Sequence, residues 1–229
     1  MNIPLLLFTI GITVGAYLLS RYLRQRYPHP LVNVVLISTI LIILLFFMSG
    51  ISYAQYQPGL HVMTFLLGPA TVGLAVPLYR YRDLLVKSIV PVIIGIIAGS
   101  TAHLIVSVLL AKLLRLDKVI VLSLAPKSVT TPIAVGIAKI INGEPSLTAA
   151  FVIATGITGA VLTPVLLNLT KIHSPLARGL AYGTSAHGIG TAAAWLEGNI
   201  HGSMSGVAMG LAGIYTSIAA PFFVHWLVI

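Results

Sequence analysis

The 229-residue chain is 58% hydrophobic and only 7% charged, with a mean hydropathy of +1.04. An ordinary soluble domain has about a quarter of its residues charged, so this composition excludes a water-solvated fold and makes lipid the main solvent. The chain has no cysteine, which removes disulfides, thiolate metal sites and cysteine nucleophiles together; its formal charge of +9 lies mostly in short clusters between apolar runs, the pattern of loops at an anionic leaflet rather than of a nucleic-acid surface.

In hydrocarbon each backbone N–H and C=O has to be satisfied internally, and runs that are apolar all round read as helices rather than barrel strands. Uncharged stretches run from Ile3 to Ser20, Leu31 to Ser49, His61 to Tyr79, Ser88 to Ala111, Pro145 to Thr170, Gly179 to Leu196 and Gly198 onward. A further run, Val119 to Ala138, is interrupted only by Lys127, which sets eight segments as the upper count. The first run lacks a basic leader and an obvious cleavage motif, so it is expected to be a retained helix rather than a signal peptide.

Arg21, Arg24 and Arg26 in the first loop and Arg80, Arg82 and Lys87 in the third place the N-terminus outside the cytoplasm by the positive-inside rule. Lys112, Arg115 and Lys118 would then fall outside if every earlier run spans once. Either Asp117 and the local fold offset them, or one segment is re-entrant.

Three segments are poor plain spans. Gly68-Pro69 interrupts the third run, Pro126-Lys127 and Pro132 the fifth, and Gly183, Gly188 and Gly190 crowd the seventh. Each is a candidate helix break, tolerated at membrane depth only beside protein or a wet cavity, where carriers bind their substrates. LGPATV at Leu67–Val72 also resembles LAPKSV at Leu124–Val129, an echo at an interval of 57 residues. That interval suits an inverted repeat, although shared apolar composition accounts for six matches equally well.

The expected fold is therefore an all-α polytopic membrane protein of seven to eight segments, some discontinuous or re-entrant. A single domain covers 1–229, with N-terminal helices at 1–60, candidate repeat units at 61–116 and 117–173, and C-terminal segments at 174–229.

Asp83, Asp117, Glu144 and Glu197 are the only acids, all in or beside expected loops, so no carboxylate pair or hydrolytic metal site is visible and an enzyme is disfavoured. Lys127 is the one cation well inside an apolar run, followed by Ser128, Thr130 and Thr131. Such a charge should face a cavity, a partner or an anion: a carboxylate held by Lys127, a half-helix N-terminus and hydroxyls, with Thr71 in the matching LGPATV run as a further candidate. The alternative is that Lys127 snorkels from a short re-entrant segment. In GTSAHGIGT, His187 sits among Thr184, Ser185 and Thr191. It either binds a carboxylate or a co-transported proton, or bonds a backbone carbonyl and locks two helices together.

These residues carry a resemblance. LVNVVL near Leu31, GISY at Gly50–Tyr53, LGPATVGLAVPLY at Leu67–Tyr79, LAPKSVTTPIA at Leu124–Ala134 and ARGLAYGTSAHGIGTAAA at Ala177–Ala194 look like the LrgB/CidB family, most of all its YohK-like branch, over nearly the whole chain. The resemblance implies a multi-pass protein of the bacterial inner membrane and two functional traditions. One is an antiholin-like regulator of murein hydrolase activity and autolysis that works with an LrgA/CidA-type membrane partner. The other is a carrier of small carboxylates such as glycolate, glycerate, lactate or pyruvate. EGNIHGSMSG at Glu197–Gly206 is less acidic than in many relatives, which weakens any role for that loop. Polar residues concentrated at the breaks, rather than striped along one face, favour a carrier; coupling to H+ or Na+ stays open, no resident cofactor is expected, and small-residue faces suit a homodimer.

Overall fold

The computed structural model describes residues 3–27, 34–50 and 82–228 without a gap, and residues 32, 52, 54–57, 59, 62, 65–66, 69 and 79 between them. Among the described residues there is helix and no strand. Contacts divide the chain into two compact units, Met1–Val76 and Pro77–Ile229. Gly68 and Thr71, and with them most of the expected break at Gly68-Pro69 and of the first repeat unit's start, lie outside the described residues.

In the first unit, α1 (Ile3–Arg26) packs along α2 (Val34–Ser49). Both are apolar around most of their circumference, as lipid requires, and their hydroxyls are neutralised locally. Thr13, Ser20, Ser38, Thr39 and Ser49 each donate to the carbonyl one turn back. The Thr13 hydroxyl also meets that of Tyr56 at 2.6 Å, and the Tyr56 ring stands edge-on to Phe46 with centroids 4.8 Å apart.

The second unit contains α3 (Arg82–Lys87), α4 (Ile89–Leu113), α5 (Lys118–Leu124), α6 (Thr131–Ile140), α7 (Pro145–Leu169), α8 (Pro175–Glu197) and α9 (Asn199–Val228). Proline sits in the first turn of α6, α7 and α8, where its missing N–H costs nothing. Pro132 therefore starts a helix. At the other ends, Arg115, Asn142 and Lys171 adopt positive φ just past α4, α6 and α7. Each is followed by a six-to-one bond (Leu116 to Ala111, Gly143 to Ala138, Ile172 to Leu167) that satisfies a carbonyl the helix leaves free.

Helices α4, α7 and α9, with 25, 25 and 30 residues, are long and apolar enough to cross a membrane. Helix α4 runs parallel to α9. Val92 and Ile96 cluster with Met204, Ala208 and Ala212, whereas Leu104, Val108 and Ala111 cluster with Ala219, Ala220 and Val224. The Thr101 and Tyr215 hydroxyls meet at 2.5 Å, and the Lys112 ammonium donates to the Leu227 carbonyl at 2.6 Å.

Helix α8 is not one rod. Arg178 and Glu197 are 19 positions apart, a separation of about 28 Å along a straight helix, yet their side chains meet at 2.6 Å. The chain reverses at His187, whose φ of 41° and ψ of −130° interrupt the helix. A Cβ added to Gly190 would sit 2.6 Å from the Tyr182 carbonyl oxygen and the Ala186 Cβ, so the two arms pack against each other. The run Gly179 to Leu196, which sequence alone offers as a span, is a re-entrant hairpin.

The chain between Ser123, at the end of α5, and Glu144 makes a second hairpin, with α6 as its returning arm. The Ser123 hydroxyl at the end of α5 accepts from the Glu144 N–H just past α6, and Thr148 of α7 donates to the Ser123 carbonyl. Chain position 123 thus returns beside 144 after passing through the turn at 125–130.

The hairpins enter from opposite ends of α7. The base of α5–α6 lies at its Pro145 end, whereas Arg178 at the base of α8 bonds Asn168 and the Ile172 carbonyl at its Leu169 end.

Candidate functional site

The first tip is built by a helix that cannot continue. After Leu124 the chain makes two turns, closed by Lys127 N–H to Leu124 O at 3.2 Å and Val129 N–H to Pro126 O at 3.3 Å. It then extends at Thr130 and enters α6. Ser128 and Val129 are buried, and Lys127, Thr130 and Thr131 half-buried. The hydroxyls of Ser128, Thr130 and Thr131 and the Lys127 ammonium have no hydrogen-bond or ion-pair partner among the described residues. From its base, α6 rises about 15 Å to Thr131, roughly half the hydrocarbon thickness. Its first N–H groups and the positive end of its dipole lie four positions on from the unpaired Lys127, and a helix start of this kind attracts an anion.

The chain's four acids are accounted for elsewhere. Asp83 is exposed beside Arg82, Asp117 precedes α5, Glu144 caps α7 through the Leu147 N–H at 2.7 Å, and Glu197 is held by Arg178. No carboxylate side chain neutralises Lys127.

The second tip is His187. Its Nε2 donates to the Val152 carbonyl of α7 at 3.0 Å, since a carbonyl can only accept, which leaves Nδ1 as the open nitrogen. Of the two roles sequence leaves open for this ring, this contact is the helix-locking one. Gly156 makes room for it, because a Cβ there would lie 2.8 Å from the ring. Gly183 and Gly190 stay helical, and the chain turns at the histidine. Gly183 instead lets α8 press on α9, with a Cβ position 2.2 Å from the Ser205 carbonyl oxygen; Gly188 has only the Met209 sulfur within 4 Å.

The hydroxyls around this tip are largely used. Thr184 and Ser185 donate back to Leu180 and Ala181, while Thr191 bonds the His187 carbonyl and the Ser205 hydroxyl. No hydrogen bond or ion pair joins Lys127 to His187. The tips are linked instead through α7: Val129 and Val152 share a buried apolar cluster, and His187 bonds the carbonyl of the same Val152.

Two groups escape sequence reasoning. Ser100 and Thr216, on the facing stripes of α4 and α9, bury their hydroxyls without any partner. The latch at the base of α8 is the other. Arg178 holds Glu197 by two bonds of 2.6 and 2.8 Å, and the Tyr182 hydroxyl adds a third at 2.6 Å. Glu197, expected to carry little weight, closes the hairpin. Its only sequence signal is that it is an acid on a chain with few.

The chain matches the LrgB-like family over residues 13–226. It is 37% identical to the uncharacterised protein YwbG of Bacillus subtilis (strain 168) over 219 residues, 96% of this chain and 97% of that protein. It is 33% identical to the antiholin-like protein LrgB of the same strain, covering 95% of each. The holin-like protein CidB of Staphylococcus aureus (strain Mu50) is 31% identical, with 94% of each chain covered. No solved structure matches.

Proposed function

We propose, from the premise that the chain belongs to the LrgB-like family of multi-pass membrane proteins, that it is a carrier of small monocarboxylates in the bacterial inner membrane. The observation behind this reading is the Lys127 tip. An ammonium, three hydroxyls without a partner among the described residues and a helix N-terminus follow one another along the chain, about 15 Å in from the base of α6, and no acid of the chain balances them. A charge at that depth costs roughly 3 kcal/mol or more unless it is compensated, and a diffusible carboxylate compensates it transiently. Two hairpins entering from opposite ends also supply the broken-helix geometry by which carriers expose one site alternately to each side.

Glycolate, glycerate, lactate and pyruvate each carry the single negative charge that one ammonium balances. The test is uptake of radiolabelled glycolate, pyruvate and lactate into proteoliposomes holding this chain alone. Saturable uptake is expected, reduced at least tenfold by Lys127→Ala; absence of uptake by the unaltered chain sinks the carrier reading.

A second reading rests on the relatives. Proteins named holin-like and antiholin-like cover nearly the full chain, which favours a regulator of murein hydrolase activity acting with an LrgA/CidA-type membrane partner. Under that reading, uptake stays absent when such a partner is co-reconstituted, and deletion of the gene alters autolysis. Small-residue faces support a homodimer in either case, and the basic loops support an N-terminus outside the cytoplasm.

A further inference from the structure

Helices α4 and α9 face each other along matching ladders, whose buried rungs recur every four residues from Val92 to Val108 and from Ala208 to Val224. The first two rungs of both helices share one apolar cluster, and the last two share another. The third rung is polar on both sides, Ser100 on α4 and Thr216 on α9. The hydroxyls of the adjoining Thr101 and Tyr215 meet at 2.5 Å, which fixes the two rungs at one level.

Ser100 and Thr216 are 1% and 0% exposed, and among the described residues theirs are the only buried side-chain polar atoms without a hydrogen-bond partner. Elsewhere on the same helices a hydroxyl is neutralised by its own backbone: Ser107 donates to the His103 carbonyl, Ser203 to that of Asn199 and Ser217 to that of Gly213. An unpaired buried hydroxyl is costly, and two at one level point to a shared guest.

We infer that Ser100 and Thr216 belong to a binding site for a monovalent cation, Na+, between α4, α9 and the first arm of α8. That arm ends at the reversal at His187, and its last turn lies against α4: a Cβ added to Gly99 would sit 3.7 Å from the Thr184 hydroxyl oxygen. Thr184 gives its hydrogen to the Leu180 carbonyl at 2.7 Å and keeps lone pairs that can only accept. Gly188, where the second arm starts, has only the Met209 sulfur within 4 Å. A half-helix C-terminus carries partial negative charge and favours a cation, as the helix N-terminus of the first tip favours an anion. Hydroxyl oxygens are hard donors, and the four acids of the chain lie elsewhere, so the set suits one positive charge and not two. The inference stands on this geometry and not on the carrier reading; within a carrier, the ion would be the one coupled to the carboxylate.

The experiment is binding of radioactive sodium to the purified full chain in detergent, with ionic strength held constant by choline chloride. Saturable binding is expected. Ser100→Ala and Thr216→Val should each weaken it about tenfold, the worth of one ligand bond, and Thr216→Ser should retain it. Melting in sodium against choline is the second readout. Sodium roughly tenfold above its dissociation constant should raise the melting temperature of the unaltered chain by about 3 °C and leave that of Thr216→Val unmoved. In choline, Thr216→Val removes an unpaired hydroxyl at constant shape and should melt no lower than the unaltered chain, so that lost binding is not lost folding. Absence of saturable binding by the unaltered chain overturns the inference, as does undiminished binding by Ser100→Ala or by Thr216→Val. A Thr216→Val chain that melts lower by the same amount in both salts assigns the hydroxyls to a bound water and overturns it too. Glycolate uptake keeps the two readings apart: sodium binding without glycolate movement removes the carrier and keeps the site, and glycolate movement without sodium binding does the reverse.

Discussion

His187 holds a backbone conformation that suits glycine, although Gly188 is the next residue. A non-glycine residue at positive φ costs on the order of 1–3 kcal/mol, so a side chain kept there should do something a hydrogen cannot. What it does is reach the Val152 carbonyl, a bond worth about 1 kcal/mol in net stability. The strain and the bond are of similar size, and this predicts an order among variants. His187→Gly loses the bond but relaxes the backbone, whereas His187→Ala loses the bond and keeps the strain. In detergent, the glycine variant should melt above the alanine variant. An alanine variant that melts as high or higher would mean that the reversal is not centred on residue 187. The position of the reversal is illegible in sequence, because three glycines beside the histidine are better local candidates. What decides it is the contact with α7, 35 positions away.

At the scale of elements, the two hairpins differ in how they are held. The hairpin between Ser123 and Glu144 is attached at its base through Ser123 and along its returning arm by apolar contacts from Ala134 and Ile137. Proline at 126 made that break legible, because a helix cannot pass it with its bonds intact. The α8 hairpin is closed by a largely buried ion pair, Arg178 with Glu197, whose side chains are 9% and 22% exposed. Such a pair is a poor source of net stability but a costly one to halve, since the survivor is left charged with little water. Arg178→Ala is expected to cost roughly 3 kcal/mol, somewhat less where Glu197 reaches solvent. The double variant Arg178→Met with Glu197→Leu should recover at least half of that loss. Melting of the three proteins in detergent checks this; a double variant as unstable as Arg178→Ala would mean that the charges themselves hold the arms together. No sequence pattern announces this latch. Its members are 19 positions apart, and the separation becomes a contact only after the chain has reversed.

For the whole molecule, an apolar run of about 20 residues means a crossing only if the chain leaves on the far side, and composition cannot tell departure from return. The runs Val119–Ala138 and Gly179–Leu196 satisfy the first condition and fail the second, so hydropathy was sufficient for the all-helical membrane class and insufficient for the topology. The two accounts predict opposite partitions of the same four exposed positions, Arg115, Asn142, Lys171 and Asn199. If each run crosses, Arg115 shares a side with Lys171, and Asn142 shares the other with Asn199. If both runs return, Arg115 is paired with Asn142, and Lys171 with Asn199. The chain contains no cysteine, so Arg115→Cys, Asn142→Cys, Lys171→Cys and Asn199→Cys each provide a single thiol on a silent background. Labelling oriented vesicles with a membrane-impermeant maleimide should mark Arg115→Cys and Asn142→Cys from one side, and Lys171→Cys and Asn199→Cys only from the other. The crossing partition would dissolve both hairpins, and with them the placing of Lys127 at a hairpin tip. The returning partition would establish that a carboxylate reaching Lys127 approaches a hairpin tip and not the flank of a spanning helix.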